Sequence, residues 1–97
     1  MNTIITSAIR NKQCISFNYD GYQRIIEPHA YGISSKGKEL MRGFQTDGGH
    51  VSGHTDGWHL FSIEKITFLN LLDTNFSEQR DGYKRGDSTM STIYAEL

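Results

Sequence analysis

Short stretches in which apolar and polar residues alternate recur along most of this chain, as they do in half-buried β-strands. From Gln13 to Tyr19 the large apolar residues occupy every second position, and comparable stretches cover residues 22–27, 39–45, 58–63 and 66–72. Asp20-Gly21 separates the first two stretches, and this dipeptide is a strong signal for a two-residue hairpin. The pattern therefore predicts five strands, joined mostly by tight turns.

Breaks in the alternation mark irregular points. Pro28 has no N–H to donate, so it predicts a bulge or a sheet edge. The phase of the apolar positions slips at Glu64-Lys65, which predicts a second bulge. Residues 46–57 are polar and rich in glycine, which predicts a long loop.

Helical spacing replaces alternation at both ends of the chain. Thr3 is expected to cap a short helix whose apolar face includes Ile5 and Ile9. Near the other end, Asp87 is expected to cap a helix over about residues 88–96. Its apolar stripe has i, i+3, i+4, i+7 spacing and consists of Met90, Ile93, Tyr94 and Leu97.

These elements predict a single, mainly β domain over residues 1–97. We expect a strongly bent five-stranded antiparallel sheet or partly open barrel over about residues 13–72, covered by the N-terminal and C-terminal helices. The side chains assigned to the core include four phenylalanines, Phe17, Phe44, Phe61 and Phe68.

Charge and cysteine content limit the function classes. The net charge of −1 argues against nonspecific nucleic-acid binding, which needs many phosphate-neutralising cations, but it leaves room for a local basic patch. Cys14 is the only cysteine, so no internal disulfide can form. This fits a reducing cytosol. With no secretory leader and no apolar run long enough to cross a bilayer, we expect a cytoplasmic protein.

Basic strand residues are the main candidates for an anion site. Guanidinium and protonated imidazole grip phosphate through charge-assisted hydrogen bonds, and the candidates are Arg24, Arg42, His59 and Lys65. The alternative is that these side chains are solvated or paired with Glu27, Glu39 and Glu64. Tyr31 and Trp58, beside predicted loops, could stack on a ligand, and His29 follows the Pro28 bulge.

The sequence does not favour a metal site or catalysis. His50, His54, Asp47 and Asp56 lie close together, but the glycines among them indicate a flexible loop rather than a helix that would align two histidine ligands. Cys14 has no identifiable base, and no serine lies in a nucleophile-elbow sequence. We expect no metal, no cofactor and no enzymatic activity.

The order of these segments resembles that of WYL domains, small β-rich modules found mostly in bacterial regulators. The resemblance covers about residues 3–76 and rests on residues 15–19, 24–29, 40–44 and 57–66. The family's Trp-Tyr-Leu falls on Glu39-Leu40-Met41, and Arg24 matches the family's arginine before Glu-Pro. His59 and Ser62 depart from the basic residues that the family carries there.

The resemblance implies an Sm- or SH3-like barrel that senses a nucleotide or nucleic-acid ligand, usually beside a DNA-binding helix-turn-helix. Our first hypothesis is a stand-alone regulatory module that binds a nucleotide or short oligonucleotide. Its candidate ligand-binding residues are Arg24, His29, Tyr31, Arg42, Trp58, His59 and Lys65. The alternative is a module for protein–protein interaction or homo-oligomerisation, such as a homodimer, with no small ligand.

Overall fold

A computed structural model describes residues 2–48 and 57–97. In these two ranges the chain forms one α-helix and six antiparallel strands in an open sheet. In chain order the elements are α1 (Thr3–Asn11), β1 (Gln13–Tyr19), β2 (Tyr22–Ile33), β3 (Glu39–Gly48), β4 (Gly57–Ser62), a 3₁₀ turn (Ile63–Lys65), β5 (Thr67–Asn75) and β6 (Thr92–Glu96).

The strands lie in the order β4-β3-β2-β1-β5, and β6 pairs with β2. The first predicted strand is confirmed with the predicted bounds, Gln13–Tyr19, and the other predicted strands are present with shifted ends. The hairpin at Asp20-Gly21 is also confirmed, since both residues have positive φ, 52° and 81°, as a type I′ turn requires.

Helix α1 covers one face of the sheet, here called the core face. Asn2 caps the helix by accepting a hydrogen bond from the Ile5 N–H at 3.1 Å, so the expectation that Thr3 is the cap was wrong. Thr3 lies inside the first turn. The side chains that form the core are Ile5, Ala8, Ile9, Ile15, Phe17, Ile26, Tyr31, Met41 and Phe61.

The bulge predicted from Pro28 is confirmed. Pro28 pairs with Gly43 on β3, but the next pair along is Ala30 with Arg42. His29 is therefore the extra residue of the bulge. A bulge of this kind changes the direction in which later side chains point.

The C-terminal helix expected over residues 88–96 is a strand, β6, at Thr92–Glu96. β1 pairs with β2 only as far as Ile26, which leaves the later edge of β2 open. β6 fills that edge opposite residues 30–33. Thr92, Ile93 and Tyr94 are β-branched or aromatic and suit a strand, so an open sheet edge outweighs the helical spacing.

Three smaller expectations need correction. Phe44 lies on the sheet face away from the core, and Phe68 is 77% exposed on β5. The slip near Glu64-Lys65 is a 3₁₀ turn rather than a bulge within a strand. Of the expected loop over residues 46–57, both ends belong to strands, and residues 49–56 lie outside the described residues.

In the part of the chain that the structure describes, no helix has the length and apolar character needed to cross a membrane.

Gly32→Ala tests the placement of β6. A Cβ on Gly32 would collide with the backbone carbonyl of Thr92, and overpacking typically costs about 1–3 kcal/mol. We expect urea denaturation to show a loss of stability in that range. Ser35→Ala, in an exposed turn, should stay within about 0.5 kcal/mol of the parent. Equal stability of all three proteins would show that β6 does not pack against Gly32.

Candidate functional site

Residues 77–89, here called the strap, cross the sheet face opposite α1, here called the strap face. The strap lies between two buried side chains, Phe76 and Met90. Phe76 is fixed by its N–H, which donates to the Lys12 carbonyl at 2.9 Å. The strap therefore starts and ends at fixed points, and its middle depends on contacts with the strap face.

Arg80 joins the strap to the sheet through three kinds of contact. Its guanidinium donates two hydrogen bonds to the Glu27 carboxylate, at 2.7 and 3.1 Å. It also lies over the Phe44 ring at 4.6 Å, a cation–π contact. The Arg80 main-chain N–H donates to His29 Nε2 at 3.0 Å. One strap residue thus engages a carboxylate, an aromatic ring and an imidazole on the strap face.

His29 is fully buried beneath the strap. Its Nε2 accepts from Arg80, so its Nδ1 carries the proton and donates to the Glu27 carbonyl at 2.8 Å. Burial lowers the pKa of this imidazole, and the hydrogen bond to the Glu27 carbonyl only partly offsets that effect. Rings surround it, with centroids at 4.7, 5.1 and 5.5 Å, and they belong to Trp58, Tyr83 and Phe76.

Trp58 connects the sheet to the middle of the strap. Its indole N–H donates to the Asp81 carbonyl at 3.0 Å. The Tyr83 ring stacks on it with centroids 6.1 Å apart and planes inclined by 24°. Gly82 has φ of +90° and lies so close that an added Cβ would come within 3.1 Å of the indole nitrogen. Glycine is therefore needed there both for backbone conformation and for space.

Arg42 and Asp87 form an ion pair at the far end of the strap. Arg42 Nε and Nη2 donate to the two carboxylate oxygens at 2.8 and 3.4 Å. Thr89 adds a main-chain and a hydroxyl hydrogen bond to Asp87, at 3.0 and 2.6 Å. Burial acts to raise the pKa of Asp87, but the bonds from Arg42 and Thr89 outweigh it and lower the pKa to about 2.

A cleft of ≈ 340 Å³ opens between the strap and the sheet. Its wall on the sheet side consists of Arg42 and Trp58, and the strap supplies the remainder. The strap residues that line it are Gly82, Tyr83, Lys84, Arg85, Gly86, Asp87 and Ser88. The cleft therefore combines two stacked aromatic rings with three cationic side chains and one carboxylate.

The structure brings together three of the seven predicted ligand-binding residues. His29, Arg42 and Trp58 all lie on the strap face. Lys65 is exposed in the 3₁₀ turn after β4. His59 follows Trp58 directly and so points to the opposite face, where its ring lies 5.5 Å from Phe61. The structure therefore does not bring all the basic candidates together in one place.

Arg24 and Tyr31 lie on the core face. The Arg24 guanidinium donates to the Tyr19 carbonyl at 3.0 Å and lies 5.7 Å from the Phe61 ring centroid, and burial lowers its pKa. Burial of Tyr31, together with a hydrogen bond to Glu39, raises the pKa of its hydroxyl to about 12. Both side chains are buried and lie outside the cleft between the strap and the sheet.

The strap residues were missing from the sequence-based site. The signal that could have indicated them lies in residues 80–87, where three cations and four glycines or acids surround Tyr83. Of the four residues considered for a metal, only Asp47 belongs to the described ranges, and its carboxylate accepts from the Gly48 N–H. Residues 2–48 and 57–97 contain no cluster of three metal-ligating side chains.

Comparison with known protein families, curated proteins and solved structures gives no match for this chain. The resemblance to WYL domains stays a prediction.

Asp87→Asn tests how much the ion pair contributes. A pKa lowered from 3.8 to about 2 corresponds to about 2 kcal/mol of stability. This contribution is fully present above pH 3.8 and is lost as the pH falls toward 2, so the comparison should be made near neutral pH. We expect urea denaturation to show a loss of that order, and little loss in Asp73→Asn, on exposed β5. A similar small effect of both substitutions would contradict the assignment.

Proposed function

We propose that this protein is a non-enzymatic module that binds a small phosphate-bearing ligand, a nucleotide or the end of a short oligonucleotide. The observation that carries the proposal is the cleft between Trp58 and the strap. The Sm- or SH3-like barrel and the regulatory role implied by the resemblance to WYL domains are part of this proposal. The open antiparallel sheet and its one-residue bulge support them.

Charge in the cleft favours an anion. Three cationic side chains less one carboxylate give the lining a charge of +2, whereas the whole chain carries −1. Lys84 is exposed and has no ion pair among the described residues. Arg85 is paired with Glu96 at 3.4 Å, but its side chain is 72% exposed, so that pair is weak. Arg85 Nε also donates to the Leu97 carbonyl at 3.0 Å. Lys84 is therefore the side chain most readily available to a phosphate, and Arg85 adds positive charge beside it.

The geometry at Arg42 adds a fixed donor. A guanidinium has five N–H groups, and Asp87 accepts from the Nε and Nη2 positions. The remaining donors belong to a guanidinium already held in one orientation, which lowers the entropy lost when an anion binds. A base or other flat ring has a stacking surface nearby in Trp58 and Tyr83.

Trp58 makes the proposal directly testable because it is the only tryptophan of the chain. Titration with ADP, AMP or a short single-stranded oligonucleotide should change its fluorescence saturably, and affinity should fall as salt rises. Lys84→Ala should weaken binding by about tenfold, as loss of a charge-assisted bond does. Arg42→Lys should weaken it less than Arg42→Ala, because lysine keeps the charge but loses the planar fork.

Lys36→Ala is the matched control, since Lys36 is an exposed lysine in the β2–β3 turn, away from the cleft. It should bind as the parent does. A fluorescence signal that never saturates, or equal affinities in Lys84→Ala and Lys36→Ala, would count against a ligand in the cleft.

A second candidate function, self-association, is favoured by β5. In the described part of the chain β5 pairs only with β1 and leaves its other edge open. Phe68 and Leu71 are 77% and 43% exposed, and Phe68 has a positive φ of 54°, unusual for a bulky residue. Asp73 is the only charged residue of β5, so this strand has few groups that could bind a charged partner. A second copy of β5 could instead pair with its open edge and bury the Phe68 rings of both copies.

Phe68→Lys tests self-association. If two copies pair through β5, the parent should be dimeric by light scattering after gel filtration, and the variant should be monomeric. Tyr22→Lys places the same side chain at another exposed aromatic position, in the β1–β2 hairpin, and should stay dimeric. A parent that is monomeric across a concentration series would exclude this function.

A further inference from the structure

The strap is attached to the sheet through an acceptor that a proton can remove. His29 Nε2 accepts from the Arg80 N–H, and the same ring packs against the rings of Trp58 and Tyr83. His29 also donates through Nδ1 to Glu27. Both ring nitrogens are thus committed, and only the neutral imidazole can make both bonds.

We propose that His29 is a pH-dependent switch whose protonation releases the strap from the strap face while α1 and the sheet stay folded. This inference does not depend on the cleft binding a ligand, because the switch consists of contacts within the chain.

Protonation would place a second N–H on the imidazole, aimed at the N–H of Arg80. Two donors then face each other, and the one hydroxyl on the three surrounding rings, that of Tyr83, is bonded to the His29 and Leu97 carbonyls. The repulsion between the two donors is relieved when the strap moves away and water solvates both N–H groups. A buried donor left without a partner is otherwise costly.

Neighbouring charges do not prevent the protonation of His29. Glu27 favours a protonated imidazole and Arg80 opposes it, and these two groups are paired with each other at 2.7 Å. The charges that act on the ring directly are Glu27 and Arg80. The other titratable and charged side chains on the described elements packed near it are Cys14, Arg42, Glu78, Asp81, Tyr83, Lys84, Arg85, Asp87 and Glu96. The carboxylates of Asp87 and Glu96 are paired with Arg42 and Arg85.

The direction of the pH effect follows from burial. The closed form disfavours the charged imidazole, so the open form binds more protons below the ordinary histidine pKa of about 6.5. The closed strap is therefore fully stable above that pH. Its stability is lost as the pH falls toward the lowered pKa of His29.

The strap is expected to open without the rest of the chain because it is exposed along most of its length and its two ends are held independently. Most of its residues are exposed, and it contributes none of the side chains of the hydrophobic core. Phe76 and β6, at its ends, are held by backbone hydrogen bonds to the Lys12 carbonyl and to β2. The strap can therefore open as a loop between two fixed ends.

An NMR titration of the unmodified protein from pH 8 to pH 4 tests the proposal. We expect the Arg80 amide and the Trp58 indole N–H signals to shift with the same midpoint as the His29 ring, below about pH 6.5. Amide signals of β1 should keep their dispersion over that range. Loss of β1 dispersion at the same midpoint would mean global unfolding, and unmoved Arg80 and Trp58 signals would mean no release; either would overturn the proposal.

His29→Gln adds a variant whose side chain can still accept from Arg80 but does not titrate. Its Trp58 fluorescence should lack the transition between pH 8 and pH 4 that the parent shows. His59→Gln, the matched control on the other face of the sheet, should keep the parent's transition. A transition that persists in His29→Gln would assign it to another group and overturn the proposal, whatever that variant's stability.

Discussion

Ile26 and Tyr31 are five residues apart on β2, yet both belong to one hydrophobic core. In a regular strand, residues separated by an odd number point to opposite faces. The bulge after Pro28 resolves this, because His29 is left without a partner on β3 and the alternation restarts at Ala30. Without that extra residue, either Ile26 or Tyr31 would leave the core. The placement of β2 side chains on the two faces of the sheet therefore depends on this bulge.

The same bulge separates the apolar side chains of the core, on one face of the sheet, from polar side chains on the other. The core face holds aliphatic and aromatic side chains against α1. The strap face holds Glu27, His29 and Arg42, each of which is matched by a group on the strap. Polar groups held in this way need their partners, since removing one partner leaves the other desolvated and unsatisfied. The strap face therefore has to be covered, and residues 77–89 cover it.

The features of the fold that could be predicted from the sequence are those that depend on neighbouring residues. Period-two alternation, the Asp20-Gly21 turn and the Pro28 bulge all depend on residues a few positions apart, and the structure confirms them. β6 could not be predicted in this way, because helical spacing and β-branching compete in residues 90–97. Its state is decided by the open edge of β2, which depends on where β1 stops pairing.

The basic residues do not form one site, and the reason is related. Arg24 and Arg42 are on different strands, and only the pairing of Arg24 with Gly48 and of Ala30 with Arg42, on either side of the bulge, places them on opposite faces.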